Sequence, residues 1–173
     1  MKVEVVPHNP QWKQEFNSES QKIQKILADN VVIIHHIGST AIPNIYAKPV
    51  IDFLIEVKDI NLISQQTPAM EKLGYAAMGE FGLVGRRYFR KENPLRIRTH
   101  HVHIYQINSP EIKRHLAFRD YMLAHTQDAE QYSQLKQELA RKYPNDIESY
   151  MDGKDEFVKR MEKKAIQWQD LMN

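Results

Sequence analysis

His35-His36-Ile37-Gly38-Ser39-Thr40-Ala41-Ile42-Pro43, with Lys48-Pro49-Val50-Ile51-Asp52 soon after it, holds the pattern from which the rest of this 173-residue chain can be read. The apolar run Val31 to Ile34 that leads into it has the character of a buried strand of about four to eight residues. The run stops at Gly38-Ser39-Thr40, where a glycine tolerates backbone angles closed to other residues and two hydroxyls follow. Successive backbone N–H groups in such a turn form a concavity for an anion, and the hydroxyls add donors for phosphate oxygens. A second apolar run, Val50-Ile51-Asp52-Phe53-Leu54-Ile55, contains one carboxylate. An acid in that company requires a cation, a donor or solvent. A phosphate-cradling turn followed on the next strand by a metal-binding acid describes a nucleotide site.

Size and composition set the frame. The length suits one domain, or a core with a helical extension. Lys+Arg 24 against Asp+Glu 22 leaves +2, too balanced to point to nucleic acid as a partner. Without cysteine there are no disulfides or thiolate metal sites, which fits a reducing compartment. No run approaches the roughly 18 apolar residues of a membrane span, and no signal-peptide pattern opens the chain. The expectation is a soluble, cytoplasmic protein.

Along the chain, Val3 to Val6 reads as a short extended entry closed by Pro7 and Pro10, and 11–29 as an amphipathic helix. Strands are expected at 31–36 and 50–57, and a helix at 62–73 that Pro68 either starts late or kinks. Gly74 stands where a C-cap glycine belongs, before a weak strand at 75–78. Gly79 to Gly85 carries three glycines and reads as a mobile loop. Arg86 to Lys91 and Leu95 to Tyr105 form an expected hairpin with Asn93-Pro94 near its tip. Ser109-Pro110-Glu111 opens the first of three helices, and Gly153 is a candidate break in the last.

Asp52, Leu54 and Glu56 share a strand face, but Asp52 and Glu56 lie about 13 Å apart at strand spacing and cannot hold one metal together. Standing alone, such an aspartate is often no more than a cap or an ion pair. His101 and His103 share a face, with His100 opposite, and two imidazoles so spaced suit zinc, manganese or iron. The blander account is a core histidine bonded to a backbone carbonyl. Arg86, Arg87 and Arg90 sit on one strand and Arg96 and Arg98 on the next, so that Arg87 falls opposite a residue near Arg98. Such cations either flank a phosphate or merely protect a sheet edge. Lys136, Lys142 and Lys154 lie on helices, where lysines are by default solvated.

These motifs closely resemble the GrpB family. The resemblance extends to Gly85-Arg86-Arg87-Tyr88-Phe89, Arg98-Thr99-His100-His101-Val102-His103, Arg114-His115-Leu116-Ala117-Phe118-Arg119-Asp120-Tyr121 and Tyr150-Met151-Asp152-Gly153-Lys154, and so covers nearly the whole chain. That family is similar to the nucleotidyltransferases of polymerase-beta-like fold, and in some proteins is fused to a dephospho-coenzyme A kinase domain. The resemblance implies an α+β fold, a mixed β-sheet flanked by helices. Residues 1–108 would form the core and 109–173 would be helices packed on it as one structural unit. It implies that Gly38, Ser39, Thr40 and Lys48 hold the phosphates of a nucleoside triphosphate. Asp52, His101 and His103 would hold a divalent metal, magnesium or manganese, or zinc. Asp52, Arg87 and Arg98 would act in catalysis, the arginines by neutralising developing charge.

Nucleotidyltransferases place two acids one residue apart on the strand after the turn and a third on a later strand. Here the second acid is Leu54 and the later strand offers His101 and His103. Two-metal chemistry needs ligands for two ions about 3.5–4 Å apart. The departure leaves three expectations: a metal-dependent nucleotidyl transfer to an acceptor; a degenerate module that binds a nucleotide or coenzyme-A precursor uncleaved; or a metal-dependent phosphohydrolase.

Overall fold

A computed structural model describes residues 2–173. The chain forms two compact units that do not follow chain order. One comprises Gln11–Ile37 and Val50–Ile112; the other takes the chain up to Pro10, Gly38–Pro49 and Lys113–Asn173.

The first unit is built on a five-stranded mixed sheet. Its strands are β1 (Val31–Ile37), β2 (Ile51–Val57), β3 (Tyr75–Ala77), β4 (Arg87–Glu92) and β5 (Arg98–Gln106), in the order β1-β2-β5-β4-β3. All neighbours are antiparallel except β2 and β5. The interior strand β2 buries Phe53, Leu54 and Ile55 completely, as expected of a strand covered on both faces.

α1 (Gln11–Leu27) buries Trp12, Ile23 and Leu27 at helical spacing. Its Phe16 stacks on His36 and Phe53, with ring centroids at 4.7 and 5.1 Å, which fixes the helix over one face of the sheet. On that face Glu19 is buried and meets Lys91 Nζ at 3.0 Å and His100 Nε2 at 3.3 Å. A charge in that position is tolerable only because it is paired. His100 is thereby committed to holding α1 down.

α2 (Ile63–Lys72) contains Pro68 within it, so the proline neither delays the start nor ends the helix, and Gly74 follows at φ 107° with its N–H on Glu71 O. The hairpin is present, its turn held by Asn93 N–H to Ile97 O and by Asn93 Oδ1 accepting from Leu95 N–H. Its register differs from expectation. Arg87 pairs with Ile104, and it is Glu92 that faces Arg98, because the ladder shifts at Lys91/Glu92. The Gly79–Gly85 segment is tied by backbone bonds rather than open: Leu83 N–H to Glu80 O, Arg86 N–H to Leu83 O, and Gly85 N–H to Glu80 Oε2 at 2.6 Å.

The second unit holds most of α3 (Pro110–Ala124), together with α4 (Thr126–Lys142) and α5 (Ile147–Met172). Ala117, Tyr121, Met122, Tyr132, Met161 and Ala165 form its core with Ile42 and Ile45. Gly153 does not break α5, which runs through it without interruption. Its role is close approach, since a Cβ there would come within 2.5 Å of Leu139 Cδ2. Gly153→Ala is therefore expected to lose about 1 kcal/mol in urea denaturation, the overpacking exceeding the helix-propensity gain. No helix among the described residues is long and apolar enough to cross a membrane.

Candidate functional site

The parallel register of β2 and β5 sets Asp52 beside His101 and Leu54 beside His103. Side chains alternate across a strand, so the carboxylate and both imidazoles emerge on one face, the one opposite His100. Asp52 Oδ1 lies 3.3 Å from His101 Nδ1 and 3.7 Å from His103 Nε2. Burial alone would raise the Asp52 pKa. Donation from His101 and then the approach of His103, with the positive charge of those rings when protonated, outweigh it and hold the carboxyl well below its usual range.

β4 supplies the wall behind these groups. Tyr88 pairs with His103, and its ring contacts both imidazoles, at 5.8 Å from His101 and 5.2 Å from His103. Burial and then the Asp52 charge raise the phenol pKa, while Arg98, Arg90 and Arg86 pull it down. Arg86, immediately before β4, is buried, with its guanidinium 4.9 Å from the Tyr88 ring centroid. It donates to Glu80 O and Phe81 O, so the glycine-rich segment wraps and fixes it. Its Nη1 lies 3.4 Å from His103 Nδ1.

That last contact sets a tautomer. A guanidinium only donates, so His103 Nδ1 accepts and Nε2 carries the hydrogen that faces Asp52. His103 is thus occupied on both nitrogens. His101 differs: Nδ1 faces Asp52, while its Nε2 is buried without a hydrogen-bond partner. With Nδ1–H donated to the carboxylate, Nε2 presents a free lone pair, the pose of a metal ligand or a general base oriented by an acid.

Among the described residues, no group of three or more His, Cys, Asp and Glu side chains is arranged to hold a metal ion. The acid nearest along the strand, Glu56, is engaged by His35 at 2.6 Å, and Leu54, where a second acid would stand, is fully buried. What remains is single donors rather than a pair: Asp52 Oδ1 faces His101 Nδ1, so an ion on Nε2, across the ring, would lie out of that oxygen's reach. Magnesium-type ions are commonly held by one or two protein groups with the substrate's phosphates completing the shell. This donor set suits an ion that arrives with phosphate better than a resident one.

The expected arginines divide. Arg87 pairs with Ile104, which sets it on the face away from Asp52, and it donates to Arg86 O at 3.0 Å. Arg98 lies 4.0 Å from Glu92 and close enough to act on the Tyr88 phenol. Arg86, not Arg87, is the guanidinium beside the imidazoles. Nothing in the local sequence separates two adjacent arginines; the tied loop does.

Gly38, Ser39, Thr40 and Lys48 belong to the other unit. Gly38 adopts φ 74°, ψ −176°, a combination essentially reserved for glycine, and Ser39–Ala41 form one 3-10 turn. Gly38→Ala is expected to cost about 1–3 kcal/mol of stability in denaturant titration, because a Cβ is strained there whatever surrounds it. Thr40 is buried at 2% exposure, and Lys48 Nζ lies 5.9 Å from the Tyr150 ring centroid.

The GrpB protein family matches residues 2–164 of this sequence. The chain belongs to the GrpB family. Conserved protein GrpB from Enterococcus faecalis, known by crystal structure, is 46% identical, with a TM-score of 0.92 over 96% of this chain and 99% of that one. The UPF0157 protein YqkA of Bacillus subtilis is 45% identical over 99% of this chain, which spans 50% of that protein's length. The Cid1 poly(U) polymerase matches with a TM-score of 0.47 at 9% identity, over 76% of this chain and 45% of the other.

Proposed function

We propose that this GrpB-family chain binds the phosphates of a nucleoside triphosphate, or of a ligand with the same chemistry such as a coenzyme-A precursor, with Asp52 as its central acid. The observation that supports this most is the free, buried His101 Nε2 beside a carboxylate kept ionised by two imidazoles. A divalent ion, magnesium or manganese, would enter with the phosphates and be held by Asp52, whose carboxylate His101 orients through Nδ1. When bound it neutralises phosphate charge. Arg86 and Tyr88 hold the imidazoles in place, and Arg98 adds positive charge nearby.

Binding without cleavage is the reading that Leu54 favours, since no second acid is available to share an ion. Transfer of the nucleotidyl group is the second reading, and His101 Nε2 supports it. There the acceptor's hydroxyl proton passes to Nε2, the acceptor oxygen bonds the α-phosphorus, and pyrophosphate leaves.

Calorimetric titration of ATP with manganese into the full chain, followed by a pyrophosphate assay, separates the readings. One-to-one binding without pyrophosphate supports the module. Pyrophosphate release that needs an acceptor supports the transferase. No binding of any triphosphate with either metal sinks both.

A further inference from the structure

The helical unit contains a charge that the Asp52 site does not use. Lys136, on α4, is 1% exposed, and its Nζ has no hydrogen-bond partner. It lies over the Tyr132 ring, 4.2 Å from the centroid. Lys154, on α5, is the neighbouring charge that acts on it. Lys154 Nζ and Lys48 Nζ lie 5.4 and 5.9 Å from the centroid of Tyr150, whose hydroxyl is also buried without a partner. One helical turn before Lys136, Ser133 is buried and accepts Tyr46 N–H at 2.8 Å, which ties the segment carrying Lys48 to α4. Among the described residues no carboxylate pairs with Lys136 or Lys154. The expectation that these are solvated surface lysines therefore fails for Lys136, which tertiary packing buries.

We infer that Lys136 and Lys154, with the Tyr150 hydroxyl, form an oxyanion site in this unit that takes a polyphosphate. The argument is one of donors. An ammonium has three N–H groups and a phenol one O–H; Lys136 Nζ and the Tyr150 hydroxyl are buried without acceptors, and Lys154 is close enough for its charge to act on Lys136. A phosphate supplies acceptors to both and favours the charged form of Lys136 that burial and Lys154 disfavour. An isolated neutral amine would satisfy the packing but would leave the phenol and Lys154 unexplained. Burial, and then the Lys154 charge, push the Lys136 ammonium down to about 6, so the empty site holds it largely uncharged at neutral pH. The groups facing it are Tyr132 on its own helix and Lys154 on α5, with Tyr150 and Lys48 beside Lys154. Arrival of the anion charges Lys136, so binding takes up a proton. The inference does not rest on the reading of Asp52.

The test uses the full chain in excess EDTA. Pyrophosphate, inorganic phosphate and ATP are titrated calorimetrically at about pH 7 and about pH 8.5, in buffers of unlike ionisation enthalpy. Pyrophosphate is expected to bind with uptake of about one proton and to weaken at the higher pH. Lys136→Met and Lys154→Met are each expected to weaken it by about tenfold or more, with the fold intact by circular dichroism. ATP binding more tightly than pyrophosphate assigns the site to a nucleotide's tail, and equal binding assigns it to polyphosphate itself. Absence of pyrophosphate binding at millimolar concentration, or Lys136→Met binding it as the parent does, overturns the inference.

Discussion

Lys136→Met should make the ligand-free protein harder to unfold at pH 7, by an amount on the order of 2–4 kcal/mol. The folded chain holds this ammonium at a pKa of about 6 against an ordinary value of 10.5, because burial and then Lys154 disfavour its charge. Between those two values the unfolded chain binds more protons than the folded one, so the lysine's penalty grows as pH falls from 10.5 and is complete near 6. Methionine has similar length and no proton to lose. The stability gap between variant and parent should be widest near pH 6 and close toward pH 10, measured by urea unfolding across that range. A gap that widens with rising pH would refute the assignment of the buried amine. Adding pyrophosphate should narrow the gap, since the parent gains more stability from the bound anion than the variant does.

The second large effect belongs to Asp52. Asp52→Asn is expected to weaken manganese–ATP binding by about tenfold or more and to cost about 1–3 kcal/mol of stability at pH 7. The amide cannot offer ionised oxygens to the His101 and His103 rings that lie 3.3 and 3.7 Å away. The sign of the pH dependence follows from the direction of the shift. The folded carboxyl sits well below its unfolded value of 3.8, so its contribution is fully present above that value and is lost as pH falls through the folded pKa. Parent and variant should therefore converge in stability only in strong acid. If they differ equally at every pH, the loss is one of packing, and the carboxylate does not have the role proposed. A companion variant, Arg86→Met, should free His103 Nδ1 and change the tautomer that faces Asp52, visible in the imidazole nitrogen shifts by NMR. Arg87→Met should leave those shifts where they are.

Much of this arrangement could be read from residue order alone. The apolar run and two-residue alternation of faces in Ile51–Val57, the apolar spacing of Gln11–Leu27 and the proline and glycine signals at Pro110 and Gly74 are local patterns, and local patterns constrain the backbone directly. The same alternation put His101 and His103 on one face and His100 on the other, and the sheet bears this out. The family was equally legible, since several motifs in one order span most of the chain.

Other features depended on which strand lies beside which. That Asp52 meets His101 follows from the parallel pairing of β2 with β5, two strands almost fifty residues apart in the chain, and periodicity carries no information about such pairing. The choice of Arg86 over Arg87 came from a loop closing on one guanidinium and a ladder shift at Lys91/Glu92 that moved the other. Lys136 is the sharpest case. A lysine on a helix of polar sequence looks solvated until other segments pack around it, and burial is a property of the neighbours rather than of the residue. Helix periods and strand faces are written in short-range spacing; register between distant strands, loop closure and the desolvation of a charge are set only when distant segments meet.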